Sequence, residues 1–223
     1  MDISRREAMG VAATGIVTAT VVPAALAAEA EAGFKKHKNE DFYGPDGKFL
    51  VDKAKQAFYE MMDFYHYPIV PRLKTADFWV ADFGLGKFTE VGMGGIFWVN
   101  NEKDNYFGHE IYLLPGQMIP EHRHVKTDAA GPKMEAWQGR YGWVNLYSEG
   151  QPTPGVEDRI PPTHKECCVA KTEKKLMPGE VDMLGGAEKW HWMKAGPDGA
   201  IVTEYATFHD GKGLRFTHPK VSL

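Results

Sequence analysis

Gly116-Gln117-Met118-Ile119-Pro120-Glu121-His122-Arg123-His124, read on to Glu135, is the stretch around which the chain can be organised. Two histidines one residue apart on a strand face the same side, because strand side chains alternate with period two. Placed that way, His122 and His124 can bind one divalent ion together, and Glu135 can return a carboxylate to it after a short excursion. His191, in Trp190-His191-Trp192, is the candidate fourth ligand, and Asp128 is the rival carboxylate. Three imidazoles and one carboxylate suit Mn, Fe, Zn, Co or Ni rather than Ca or Mg. An isolated H-x-H is also common on surfaces, so the context of the pair decides its meaning.

Outward from this stretch the signal is β. Short apolar runs with turn signals between them begin at Phe78-Trp79-Val80 and Ile96-Phe97-Trp98-Val99 and continue through Tyr106 to Leu114. Further strands are expected at Met134 to Gln138, Tyr141 to Tyr147, Glu166 to Ala170, Gly179 to Leu184, Lys189 to Lys194 and Ala200 to Thr207. Many short strands of this kind indicate a closed barrel or sandwich. Upstream, Ala54, Ala57, Phe58, Met61, Met62 and Tyr65 recur at helical spacing, which predicts a helix capped by Asp52, running to about His66 and packing outside the barrel. The Pro- and Gly-rich loop from Glu149 to Pro162 is expected to cover the pocket.

Ser4-Arg5-Arg6-Glu7, the uncharged run from Gly10 to Val22 and Ala25-Leu26-Ala27 read as a twin-arginine export leader with a cleavage site. The expected organisation is a signal peptide over 1–27, a linker and helical extension over 28–76, and a barrel over 77–223, in an exported protein. The apolar run is too short for a stable membrane span. A net charge of −4 points away from a nucleic-acid partner. Cys167 and Cys168 are neighbours, so no disulfide framework is expected.

Taken together, these residues resemble the cupin superfamily. Its first motif corresponds to Gly116, His122, His124, Glu135 and Gly139; its second corresponds to Pro178-Gly179, Gly185-Gly186 and His191. The implied fold is mainly β, a single cupin (jelly-roll) barrel with an N-terminal helical extension. From about Lys53 to Pro219 the chain more specifically resembles cupins of the D-lyxose isomerase type. The matching runs include Asp82-Phe83-Gly84-Leu85-Gly86, Leu114 to His124, Trp190-His191-Trp192, Val202-Thr203-Glu204-Tyr205-Ala206-Thr207 and Phe216-Thr217-His218-Pro219. In that family the gap between H-x-H and Glu is long, which favours Glu135 over Asp128.

The resemblance implies an aldose–ketose isomerase acting on a pentose or hexose such as lyxose or mannose through a cis-enediol, with one divalent metal ion, Mn first among the candidates. A metal would polarise the carbonyl and stabilise developing negative charge. Glu204 is the candidate proton shuttle, since a carboxylate inside a barrel needs a partner. Relatives carry Lys in a Tyr-x-Gly-Lys run where this chain has Tyr106-Phe107-Gly108-His109, so His109 is a second catalytic candidate. Trp137, Lys133 and His218 are candidates for binding the sugar, His218 standing where relatives often carry Asp. A homodimer is expected by the same resemblance. The competing readings are an iron-dependent cupin dioxygenase and an exported cupin that binds metal or sugar without turnover. His37, His66, His164 and His209 show no partner pattern, and surface or structural roles are expected of them.

Overall fold

The computed structural model describes residues 33–223; the export leader expected over 1–27 lies outside them. Among the described residues one helix of several turns, α1 (Val51–Phe64), precedes nine strands. These are β1 (Phe78–Ala81), β2 (Met93–Asn101), β3 (Tyr106–Leu113), β4 (Met118–His124), β5 (Glu135–Ser148), β6 (Thr172–Leu176), β7 (Val181–Met183), β8 (His191–Ala206) and β9 (Leu214–Phe216).

The spine is β8, 16 residues long. One edge pairs with β5 throughout, from Glu135 opposite Ala206 to Ser148 opposite His191. The other edge is divided. β3 takes the later half, with Phe107 opposite Ala206 and Leu113 opposite Ala200, while β4 takes the start, with His122 opposite His191. β2 and β1 extend the sheet beyond β3, β9 extends it beyond β4, and β6 and β7 both pair with β5.

Two pairs of expected strands are each one strand. Lys189–Lys194 and Ala200–Thr207 merge because Gly199, at φ +79°, lets the backbone turn without leaving the ladder. Met134–Gln138 and Tyr141–Tyr147 merge into β5, which absorbs register shifts after Gly139 and Gly142. Gly139 also has a packing role, since a Cβ there would lie 2.4 Å from the Met177 carbonyl oxygen. Glu166–Ala170 is not a strand. The amides of Val169 and Ala170 donate to the buried carboxylate of Glu121 instead of to a neighbouring strand.

The helix begins two residues earlier than expected. Leu50 stands at its N-cap with no side-chain hydrogen bond, and Asp52 lies inside the first turn, where it complements the helix dipole rather than capping it. Ala54, Ala57, Phe58, Met61 and Met62 are buried and pack with Phe78, Phe88, Ile96, Tyr112 and Ile201 on the outside of the sheet. A second apolar cluster, including Met93, Ile111, Met118, Trp137, Leu146 and Met193, fills the inside of the curled sheet. Among the described residues no helix is long and apolar enough to cross a membrane.

Candidate active site

His122 and His191 are cross-strand partners, so β4 and β8 present them side by side, with ring centroids 4.3 Å apart. Alternation brings His124 to the same face of β4, and β5 enters with Glu135 at its first position. His122, His124, Glu135 and His191 each offer a ligand atom within 4.8 Å of the others. Nε2 of His124 lies 3.3 Å from Oε1 of Glu135, and Nε2 of His191 lies 3.2 Å from Oε2. A metal–nitrogen bond of about 2.1 Å sets adjacent ligand atoms roughly 3.0–3.4 Å apart in octahedral or tetrahedral geometry, so these spacings suit a shared ion.

The surroundings fit the same use. Nδ1 of His122 is 2.8 Å from the Pro120 carbonyl, and Nδ1 of His191 is 2.9 Å from the Lys189 carbonyl. Each carbonyl holds the proton on Nδ1 and leaves Nε2 as the donor to an ion. Oε2 of Glu135 and Nε2 of His191, although 3.2 Å apart, are not aligned for a hydrogen bond with each other and are buried with no other partner. Buried polar atoms of this kind are rare unless something else satisfies them. Asp128, in contrast, is exposed on the loop after β4 and outside this group.

Beside the tetrad lies a buried charge network. Lys133 ion-pairs with Glu204 and approaches Oε1 of Glu135 at 3.1 Å, while its ammonium sits over the Phe107 ring. The second Glu204 oxygen is 3.0 Å from Nδ1 of His109. His109 is itself stacked on Trp79 and held edge-on by Phe97. Gly95 makes that packing possible, because a Cβ there would lie 2.5 Å from His109 Nε2.

The network decides the ionisation. Burial pushes the Glu135 carboxyl up, but Lys133 and then His191 outweigh it and hold it well below the usual carboxylate range. Burial likewise opposes ionisation of Glu204, and Lys133 and the His109 hydrogen bond outweigh it. Burial works against the Lys133 ammonium, yet Glu204 and Glu135 raise its pKa. Burial, followed by His191 and His124, keeps His122 neutral.

Trp137 is 4% exposed, lines the same cavity and packs against the His191 ring at 5.4 Å. His218 does not reach the cavity. β9 ends at Phe216, and the following turn carries His218 to His164, with ring centroids 4.9 Å apart, and the Lys220 amide donates to its Nδ1. The loop from Glu149 to Pro162 does not cover the cavity either. Its Val156 and Ile160 are buried in the core, and the cavity borders on Lys174, Asp182 and Met183 instead. Cys167 and Cys168 are free thiols.

His209 is a cavity residue that the sequence did not mark. Asn100 clamps its backbone from both sides, and its ring stacks on Phe107 and meets His124 edge-on. Burial, with Lys133 and His124 nearby, pushes its pKa down to about 3. Its place just after the Glu204 strand was the only signal of its role.

No family model matches the chain. A D-lyxose/D-mannose isomerase of Thermosediminibacter oceani is 34% identical over 174 residues, spanning 78% of this chain and 94% of that one. A D-lyxose ketol-isomerase of Cohnella laeviribosi is 37% identical over 142 residues, 64% of this chain and 76% of its own. Among solved structures, L-ribose isomerase of Cellulomonas parahominis with L-psicose shares the fold at a TM-score of 0.62, with 12% identity, covering 81% of this chain and 95% of that one. The mainly β architecture and the extent of these relatives agree, and the chain belongs to the D-lyxose ketol-isomerase family of sugar isomerases.

Proposed function

We propose that this isomerase is metal-dependent and interconverts D-lyxose with D-xylulose and D-mannose with D-fructose. The observation that carries the reading is the buried contact between the two halves of the site. Lys133 joins Glu204 to Glu135, so a proton-transfer carboxylate and a four-ligand cluster share one cavity. The names of the relatives support the substrates and stand against the dioxygenase and non-catalytic alternatives.

His122, His124, Glu135 and His191 would hold the divalent ion, with Mn first and Zn, Fe, Co or Ni also suited to the donor set. When bound, the ion would supply polarisation of the sugar carbonyl and stabilisation of the negative charge that develops on oxygen. Glu204, kept ionised by Lys133, takes the proton from C2 of the open-chain aldose. The C–H electrons form the C1=C2 bond as the carbonyl π electrons move to O1, which gives the anion of a cis-enediol. Glu204 returns the proton to C1 while the O2 hydroxyl proton passes to O1, so the aldose and ketose differ only by that transfer.

Lys133 supplies the ammonium that relatives carry at the position of His109, and it stands ready to donate a hydrogen bond to the oxygen that gains charge. His109 holds the other oxygen of Glu204 and fixes the carboxylate plane. Trp137 offers an apolar face to the sugar carbons. Export with metal in place and pairing as a homodimer belong to the same reading. Exposed Val181, Met183, Tyr205 and Met134 support the pairing.

The test is ketose formation from D-lyxose and D-mannose by protein stripped with chelator and then reloaded with single metals. Activity restored by Mn and absent from the stripped protein is expected. Equal activity in the stripped and reloaded protein would refute the metal requirement.

A further inference from the structure

Four neighbouring strands place four cavity residues in one ladder row. His109 on β3 is opposite Glu204 on β8, Glu204 is opposite Trp137 on β5, and Trp137 is opposite Asp182 on β7. Directly opposed residues present their side chains to one face. The preceding residue agrees with this direction. Val181 is 54% exposed and outside the cavity lining, whereas the Asp182 side chain is only 23% exposed and lines the cavity. Lys174, reaching across from β6, also lines it and ion-pairs with Asp182.

The row is a ruler for the substrate. Strands lie about 4.8 Å apart, so the Asp182 and Glu204 backbones are separated by roughly 10 Å, with the Trp137 ring between them. Bonds of about 1.5 Å make an extended six-carbon chain roughly 6 Å long, and hydrogen bonds of about 2.8 Å add reach at each end. With C1 and C2 at Glu204 and the middle carbons over Trp137, the hydroxyl of the far end falls at Asp182. Leu184 and Met183, which line the cavity beside this ion pair, are apolar and would leave such a hydroxyl unpaired.

We propose that Asp182, oriented by Lys174, binds the terminal hydroxyl of the sugar and sets the preference between six- and five-carbon aldoses. The proposal rests on the isomerase substrates given above and adds the residue that selects among them. A rim ion pair that merely joined β6 to β7 would affect every substrate alike.

D-Mannose and D-lyxose share the configuration of C2 to C4 and differ by a terminal hydroxymethyl group, so they form the test pair. Steady-state kinetics would be measured for wild type, Asp182→Asn, Asp182→Ala and Lys174→Met, with metal content and melting temperature recorded for each. Loss of a hydrogen bond to a charged group is expected to raise KM for mannose about tenfold in Asp182→Ala, against less than about threefold for lyxose. Asp182→Asn should fall between wild type and Asp182→Ala, and kcat on lyxose should hold. Unchanged KM for both sugars, or an equal loss on both with a lower melting temperature, would overturn the proposal while leaving the isomerase intact. Wild-type turnover of neither sugar would overturn the substrate reading itself and this proposal with it.

Discussion

Replacing Lys133 by Met tests the charge network most sharply. Lys133 is 5% exposed, and its ammonium is the cation shared by Glu135 and Glu204. Met keeps the length of the side chain and removes the charge, so two buried carboxylates lose their common partner. Removing one member of a buried ion pair costs about 3–5 kcal/mol. In a fold of this size 1 kcal/mol moves the melting temperature by about 2–4 °C, so metal-free Lys133→Met should melt roughly 6–20 °C below metal-free wild type.

The pH dependence follows with a definite sign. In wild type, Glu135 and Glu204 titrate below the ordinary carboxylate value of 4.5. They therefore stabilise the fold above about pH 4.5 and lose that contribution as pH falls through their folded values. Without Lys133, burial and mutual repulsion dominate and push the carboxylates up, so the fold gains stability as they take protons. The gap in melting temperature should be widest near pH 7 and narrow toward pH 5. The acid limb of kcat should move upward, because Glu204 must be ionised to accept the C2 proton. Calorimetry across that range and a kcat–pH profile provide the readouts. Melting within 2 °C of wild type at pH 7, with an unmoved acid limb, would refute the role given to Lys133.

Other consequences can be checked independently. Chelation should lower the melting temperature and Mn restore it; at a free metal concentration 100 times Kd the gain is about 2.7 kcal/mol, or roughly 5–11 °C. Gly95→Ala should reduce kcat at least about tenfold with metal content unchanged, because the new Cβ would meet His109 Nε2 at 2.5 Å and Trp79 at 2.6 Å and disturb the hold on Glu204. Burial and then His218 lower the His164 pKa from 6.5 to about 4, so the unfolded chain takes up its proton first. Stability from this group is complete above about pH 6.5 and should decline by up to about 3 kcal/mol toward pH 4, a slope that His164→Phe should flatten in urea titrations at several pH values.

The sequence was most legible where a short-range rule governed. Period-two alternation places His122 with His124, and helical spacing picks out the buried face of α1. Strand ends were harder to read. Gly139 and Gly199 look like punctuation in the sequence, yet in the fold they let β5 and β8 continue through bends. Glu166 to Ala170 has strand composition, but its amides are satisfied by Glu121, a partner some 50 residues away. The same distance effect concealed the site. His209 carries no local pattern, and Lys133, a sugar-binding candidate in the sequence, shows its pairing with both carboxylates only when β5 and β8 close on the cavity. His218 showed the reverse, standing beside a recognisable run but turned away by the chain reversal after β9.

The most direct measurement is deuterium entry at C1 or C2 of D-lyxose and D-mannose, followed by NMR in D2O with the Mn-loaded protein. Glu204→Gln and His124→Ala serve as controls. Exchange in wild type that is lost in Glu204→Gln with metal retained, and lost in His124→Ala together with metal, is the expected result. Full exchange in Glu204→Gln, or none in metal-loaded wild type with either sugar, would contradict proton transfer by Glu204 beside a metal centre.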